Sequence, residues 1–176
     1  MTNSKPVISC KNVWKLFGFA PEKYYKSLSK NKSYEDIQSD GYIAGVKDVS
    51  VDVYKGEMLV IMGLSGSGKS TLLRCMSRLH DITGGTIAID DQDIMSLEEK
   101  ELIELRRNKM GMVFQSFGLL PHRSVLENVA FPLEMRGQSK HDRRDRALEV
   151  IKLVGLEGRE DYFPRELSGG QQQRVG

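Results

Sequence analysis

Cysteine is nearly absent. The 176 residues hold two, Cys10 and Cys75, far apart in sequence. That excludes a disulfide framework and the paired spacing of a zinc site, and it fits a reducing compartment. No run of about 18 apolar residues occurs, so no membrane-spanning helix is expected. Met1 to Phe17 holds no long apolar run either, so no secretory leader is expected. Charge of one sign is lacking: 26 Lys and Arg against 24 Asp and Glu leave a formal net charge of +2, too little to point to nucleic acid. The three histidines, His80, His122 and His141, are too scattered for a metal site. Internal repeats and low-complexity tracts are missing as well. What remains is 39% hydrophobic and 28% charged, the composition of a folded domain with a sizeable core. Any membrane role has to come through a partner.

Periodicity sorts the chain into elements. Val7 to Phe17 alternates loosely and reads as a strand. Val46 to Val53 alternates strictly and reads as a half-buried strand. Between them, Phe19 to Gly41 is polar, without clear periodicity, and reads as an insertion, helical in part at Pro21 to Ser29. Two short apolar runs, Met58 to Met62 and Gly111 to Phe114, read as buried strands. Gly84-Gly85 breaks the chain before a short strand at Thr86 to Ile89. Ser96-Leu97-Glu98-Glu99 forms a capping box for a helix to about Lys109, with Leu97, Leu102 and Ile103 as its apolar stripe. Ser124-Val125-Leu126-Glu127 is a second box, for a helix that should end near Phe131 because of Pro132. Ser139 opens a third helix. Ala147, Leu148, Val150, Ile151 and Val154 form its core face, and Arg143, Arg144 and Arg146 a solvated face.

Chemistry concentrates at Gly63-Leu64-Ser65-Gly66-Ser67-Gly68-Lys69-Ser70-Thr71. It fits G-x-x-x-x-G-K-[ST], between an apolar run and the helical spacing of Leu72, Leu73, Met76 and Leu79. Glycines let successive N–H groups turn inward, and with the helix N-terminus they form a nest for phosphate oxygens. Lys69 would reach the β- and γ-phosphates and the Ser70 hydroxyl would ligate Mg²⁺. A second anion-binding terminus is written in Leu167-Ser168-Gly169-Gly170-Gln171. Ser168 can N-cap a helix, and Gly169 and Gly170 leave their N–H groups open to close approach.

With these motifs in this order, the chain resembles the ATP-binding subunits of ABC transporters, from Val7 to Gly176. The resemblance implies a fold: α/β, a P-loop NTPase core with a helical subdomain, truncated before the Walker B strand. Residues 18–45 would be the insertion, 46–115 the phosphate-loop core, and 116–176 the helical subdomain with the signature motif. It also implies roles. Ser168, Gly169, Gly170 and Gln171 would close over ATP held by a second ATPase subunit in a head-to-tail dimer. Gln115 would be the Q-loop glutamine that reaches Mg²⁺ and the attacking water. Phe17 would stack on adenine, with Trp14 as a rival.

The long insertion and Val113-Phe114-Gln115-Ser116-Phe117-Gly118-Leu119-Leu120-Pro121-His122 are similar to the ATPases that drive uptake of glycine betaine and other quaternary amines. That resemblance implies transmembrane permease subunits as partners, a solute-binding protein indirectly, no nucleic acid, and a peripheral place on the cytoplasmic membrane face. Phe117 to Val129 would receive the membrane subunits, although Leu119 and Leu120 suit a core equally well. The family continues with an apolar strand ending in Asp-Glu, which does not occur here. Since an amide cannot accept a proton at neutral pH, Gln115 cannot replace that Glu. Without that strand Met58 to Met62 would lack a neighbour, so the 176-residue chain alone is expected to fold poorly, aggregate or bind ATP weakly, and without that Glu to be inactive in hydrolysis, a truncated nucleotide-binding fragment being the alternative function. A kinase or GTPase would leave Leu167 to Gln171 unexplained.

Overall fold

The strand Ile8–Phe17 (β1) is the axis of an antiparallel sheet. The computed structural model describes residues 5–29 and 31–176. Residues 1–4, part of the stretch read as lacking a leader, and Lys30, within the insertion, lie outside the described residues. Two units divide the chain, residues 1–102 and 103–176.

In the first unit, β2 (Ile43–Val53) runs antiparallel to β1 from Ile8↔Val53 to Phe17↔Ile43. On the other side β3 (Gly84–Ile89) pairs through Ile8↔Ile89 and Trp14↔Gly84, and β4 (Gln92–Asp93) adds an edge. The order is β2-β1-β3-β4. The glycine pair lies inside β3 rather than before it. A Cβ at Gly84 would stand 2.1 Å from the Tyr25 ring, so only glycine lets that ring seat against the strand.

Tyr25 belongs to the insertion, which holds two helices, α1 (Pro21–Ser27) and α2 (Tyr34–Ser39). The second was not expected. It is opened by a reciprocal cap: Ser33 Oγ accepts from the Asp36 N–H and the Asp36 carboxylate accepts from the Ser33 N–H, both at 3.0 Å. The insertion closes over β1. Trp14, Leu16 and Ile37 are fully buried, with Tyr24, Tyr25, Leu28 and Tyr42 packed against them. Tyr24 and Tyr42 stack at 3.9 Å, and Asp40 binds both the Tyr24 hydroxyl and Lys32.

Between β2 and β3 lies α3 (Lys69–Met76), anchored by buried Leu72, Cys75 and Met76. The segment before it departs from expectation. Met58 to Met62 is in no sheet among the described residues, and Met58 and Met62 are 86% and 85% exposed. Gly111 to Phe114 is likewise unpaired, with Val113 83% exposed. An apolar run becomes a buried strand only beside ladder partners, and the described residues supply none to either segment.

Helix α4 (Glu99–Lys109) starts three residues after Ser96. The Glu101 carboxylate accepts from the Glu98 N–H at 2.9 Å, whereas Ser96 Oγ donates to the Asp93 carbonyl. Leu97, Leu102 and Leu105 are buried and Ile103 is exposed, so Leu105 takes the place expected for Ile103.

The second unit is helical: α5 (Val125–Met135), α6 (Lys140–Leu153), a 3₁₀ turn at Pro164–Glu166 and α7 (Gly169–Val175). Its core joins Val125, Leu126 and Ala130 of α5 to Ala147 and Ile151 of α6, with Leu156 and Leu167. Ser124 and Ser139 cap α5 and α6. Helix α5 does not end at Phe131 but runs through Pro132. Proline removes one intrahelical bond, and the turn beyond it is held by a 2.8 Å ion pair from Arg123 to Glu134 and by the Arg136 side chain donating to the Arg107 carbonyl. Of the arginines expected at solvent, Arg144 and Arg146 are exposed and Arg143 is half-buried. Arg143 and Arg144, with Lys140, continue the stripe of Ala147 and Ile151 and line an open groove toward α5.

Candidate functional site

The loop before α3 turns on glycines: Gly66 and Gly68 adopt φ of 81° and 88°. Gly68 is also sterically required. A Cβ there would stand 2.1 Å from the Gly45 carbonyl oxygen, so the start of α3 presses on the β2 backbone. Lys69 folds back over this loop, and its ammonium donates to the carbonyls of Gly63 (2.8 Å) and Leu64 (2.6 Å) and approaches Ser67 Oγ at 3.4 Å. The N-cap of α3 is Gly68, with no side-chain cap. Serine fills that role on α5, α6 and α7. The first N–H groups of α3 therefore have no capping side chain, beside a fixed ammonium, and this is a cradle for an anion. Ser65 and Ser70 are exposed at it and Thr71 is half-buried. A cavity of about 490 Å³ adjoins it, between β2 and residues 59–63.

Phe17 reaches this neighbourhood. A Cβ on Gly45 would stand 2.6 Å from the Phe17 ring and 3.0 Å from Thr71 Cγ2, so the ring and the first turn of α3 flank Gly45. Phe17 is 37% exposed, meets His80 edge-on at 5.9 Å and carries the Lys15 ammonium 5.1 Å from its centroid. Trp14 is fully buried in the insertion core, where no ligand can stack on it. Sequence reasoning missed Gly45. No spacing signal links it to the phosphate loop, because their contact is tertiary. The thiol of Cys75, on the inner face of α3, is pushed up by burial, and that of Cys10 is raised to about 11, first by burial and then by the Asp52 charge. Both stay protonated at neutral pH and offer no nucleophile.

In the second unit, Ser168 caps α7. Its Oγ accepts from the Gln171 N–H at 3.4 Å, and Gln171 Oε1 accepts from the Ser168 N–H at 2.9 Å. Leu167 is buried and Gln172 donates to the Pro164 and Leu167 carbonyls, so the turn is fixed from beneath. Arg174 donates to the Val154 carbonyl at 2.9 Å, tying α7 to the end of α6. Gly169 and Gly170 face open space. Gln115 is exposed, in a turn closed by the Phe117 N–H donating to the Phe114 carbonyl at 3.2 Å. Leu119 and Leu120 are half-buried, and Asn128 holds their loop: its Oδ1 accepts from the Leu120 N–H, and its Nδ2 donates to the Leu120, Arg123 and Ser124 carbonyls. Asn128 was not foreseen, since an Asn within a helix gives no sign of which loop it clasps.

The donor set fits a nucleotide phosphate with a hard cation. Nitrogen donors and an ammonium converge at α3, and the hydroxyl of Ser70 is an oxygen ligand of the type Mg²⁺ takes. Among the described residues, no group of three or more His, Cys, Asp or Glu is placed to hold a metal by itself.

The ABC transporter family model matches residues 46–176. The trimethylamine N-oxide transport system ATP-binding protein TmoW of Ruegeria pomeroyi is 76% identical over 97% of this chain and 50% of its own length. The glycine betaine/proline betaine transport system ATP-binding protein ProV of Escherichia coli is 46% identical over 96% of this chain and 42% of its own. A solved dimeric structure of the ATP-binding cassette MJ0796, in a post-hydrolysis state bound to ADP and Pi, superposes with a TM-score of 0.77 at 37% identity, covering 96% of this chain and 66% of that one. The chain thus spans about half the length of the curated relatives it matches. With a family model that covers residues 46–176 and an ABC ATPase fold, the chain belongs to the ABC transporter family.

Proposed function

We propose that the chain is the nucleotide-binding part of an ABC importer ATPase serving uptake of a small methylated amine. Trimethylamine N-oxide is the first candidate and glycine betaine the second, since the relatives' names carry those solutes. The observation that carries the nucleotide reading is the uncapped start of α3 with Lys69 folded over the loop. Lys69 releases its loop carbonyls to the β- and γ-phosphates and neutralises charge as the γ-phosphoryl group leaves. The loop amides from Gly63 to Thr71 orient the phosphates, Ser70 and Gln115 contribute to holding Mg²⁺, and Phe17 offers a ring face to the base. Mg²⁺, when bound, would supply Lewis-acid neutralisation of phosphate charge. In the full-length protein water would attack the γ-phosphorus in line as the bond to the β-phosphate oxygen breaks and ADP leaves. Gln115 would position that water, whose proton passes to phosphate oxygen and solvent because an amide cannot accept it.

Ser168, Gly169, Gly170 and Gln171 complete the site of a second ATPase subunit in a head-to-tail pair. A dimeric structural neighbour supports this reading. Permease subunits dock on residues 117–129, which places the ATPase at the cytoplasmic membrane face. The 176-residue chain alone binds nucleotide weakly and does not turn it over, a reading favoured by the unpaired, exposed stretch leading into the phosphate loop.

The test is calorimetric MgATP binding to the full-length protein and its Lys69→Met variant, with uptake of labelled trimethylamine N-oxide and glycine betaine into cells carrying each. Loss of binding and uptake together in Lys69→Met supports the reading. Unchanged ATP affinity in that variant refutes it, and uptake of neither solute refutes the solute assignment alone.

A further inference from the structure

Phe17 is held from several sides, and over its ring lies an ammonium with no counter-charge. Leu16, just before it, is fully buried in the insertion core. Just after it, the Tyr42 hydroxyl donates to the Phe19 carbonyl at 2.9 Å. The Tyr42 ring also closes on Gly18, where a Cβ would stand 2.4 Å from the ring's Cδ1. The insertion therefore fixes the backbone on both sides of Phe17. What remains free is the ring's own torsion, which for phenylalanine is broad and is set by what touches the ring.

Gly45 lies against the Cε2 edge of that ring, and His80 meets it with the two planes at 87°. Lys15, two residues earlier on β1, places its ammonium 5.1 Å from the ring centroid. Lys15 is half-buried and makes no hydrogen bond or salt bridge among the described residues. Its charge is felt by the Cys75 thiol, where it opposes the larger upward push of burial, so the ammonium lies toward the inner face of α3. A lysine without a carboxylate partner ordinarily keeps its ammonium in water and its rotamers free. Here it is committed to an aromatic face instead.

We propose, resting on Phe17 as the ring that faces the base, that Lys15 is a positioning residue for the nucleotide base and acts through that ring. Its ammonium binds the negative face of the phenyl group and holds the plane in the orientation that stacks on a purine. The attraction also draws π density toward the cation, so the ring repels the π cloud of a stacked base less. Phe17 is 37% exposed, which leaves ring surface for that base. The triphosphate is held elsewhere, by the loop amides and Lys69. Lys15 therefore acts on the base and not on the phosphates, and it takes no part in phosphoryl transfer.

Calorimetry on the full-length protein tests this with two ligands, MgATP and magnesium tripolyphosphate, which carries the phosphates without a base. Lys15→Gln should weaken MgATP binding about two- to fivefold and leave tripolyphosphate binding unchanged. Lys15→Arg, which keeps a cation over the ring, should keep the parent affinity for both. Phe17→Leu should also weaken MgATP, and in that background Lys15→Gln should have no further effect. Circular dichroism shows that each variant folds. If Phe17→Leu weakens MgATP while Lys15→Gln does not, or if Lys15→Gln weakens it equally in the Leu background, the proposal fails and the role of Phe17 stands. An equal loss for tripolyphosphate would make Lys15 a phosphate contact and would overturn the proposal as well. Unchanged MgATP affinity in Phe17→Leu would overturn the role of Phe17 and the proposal with it.

Discussion

Replacing Gly68 by alanine should destabilise the protein more than replacing Gly66, although both glycines sit in the phosphate loop at nearly the same dihedral angle. Their φ values are 88° and 81°. A non-glycine residue in that region costs about 1–2 kcal/mol, and both substitutions incur it. They differ in what the new methyl meets. At Gly66 nothing lies within 4 Å, whereas at Gly68 the Cβ would stand 2.1 Å from the Gly45 oxygen and 3.2 Å from its carbon. Ordinary contact needs more than an ångström of additional room, and both sides are backbone. Either β2 moves at Gly45 or the first turn of α3 lifts away from it. Overpacking of this kind costs about 1–3 kcal/mol, so Gly68→Ala should lose that much more than Gly66→Ala. Urea denaturation of the full-length variants, followed by circular dichroism with and without saturating MgATP, measures the gap. Equal losses, within about 0.5 kcal/mol, would mean that α3 does not bear on β2 and that Gly68 serves conformation alone.

Two further outcomes follow from buried and paired side chains. Trp14→Ala should cost about 3–5 kcal/mol, as for large buried aromatics. Trp14→Phe should cost much less, because the indole Nε1 is buried without a partner and its removal offsets part of the lost packing; denaturation midpoints of the two variants check this. The Arg123–Glu134 pair should be acid-sensitive. Glu134 has its folded pKa lowered from 4.5 by Arg123, so the coupling is fully present above 4.5 and disappears as pH falls through the lowered folded value. A double-mutant cycle with Arg123→Met and Glu134→Gln, measured at pH 7 and at progressively lower pH, should show coupling that weakens only below 4.5, and equal coupling throughout would contradict the assigned cause.

What the sequence disclosed was local. Alternation placed β1 and β2, because a half-buried strand writes its period into neighbouring residues. The caps at Ser124, Ser139 and Ser168 were legible since the cap and its partner stand three residues apart. Helix α2 carried the same kind of signal in Ser33-Tyr34-Glu35-Asp36, but six residues are too few for a period to stand out. The glycine loop and Lys69 were legible for the same reason of locality, whereas the Gly45 floor was not. Charge placed Arg143 and Arg144 at solvent, where Arg144 is exposed and Arg143 half-buried; helical spacing contained the further fact that both share a stripe with Ala147. Pro132 illustrates the opposite limit: a rule about one bond was overridden by a core contact and an ion pair on either side of it.

The unpaired stretch before the phosphate loop has a consequence that hydrogen exchange can reach. Met58, Val60 and Met62 are 86%, 64% and 85% exposed. Burying such side chains is worth about 1.5–3 kcal/mol each, so the stretch withholds on the order of 5 kcal/mol, a large part of a domain's usual 5–15 kcal/mol. Its open ladder groups and apolar side chains also make it a template for edge-to-edge association. In the 176-residue chain, the amides of residues 58–62 should exchange as fast as those of a solvated loop, while β1 and β2 stay protected. The chain should associate in proportion to concentration, and Met62→Lys should reduce that association without altering protection of the sheet. In the full-length protein the same amides should be slow, because a precise phosphate loop needs a fixed strand on its N-terminal side. Strong protection of residues 58–62 in the short chain would show that they find ladder partners within it, and the weak nucleotide binding assigned to that chain would then lose its physical basis.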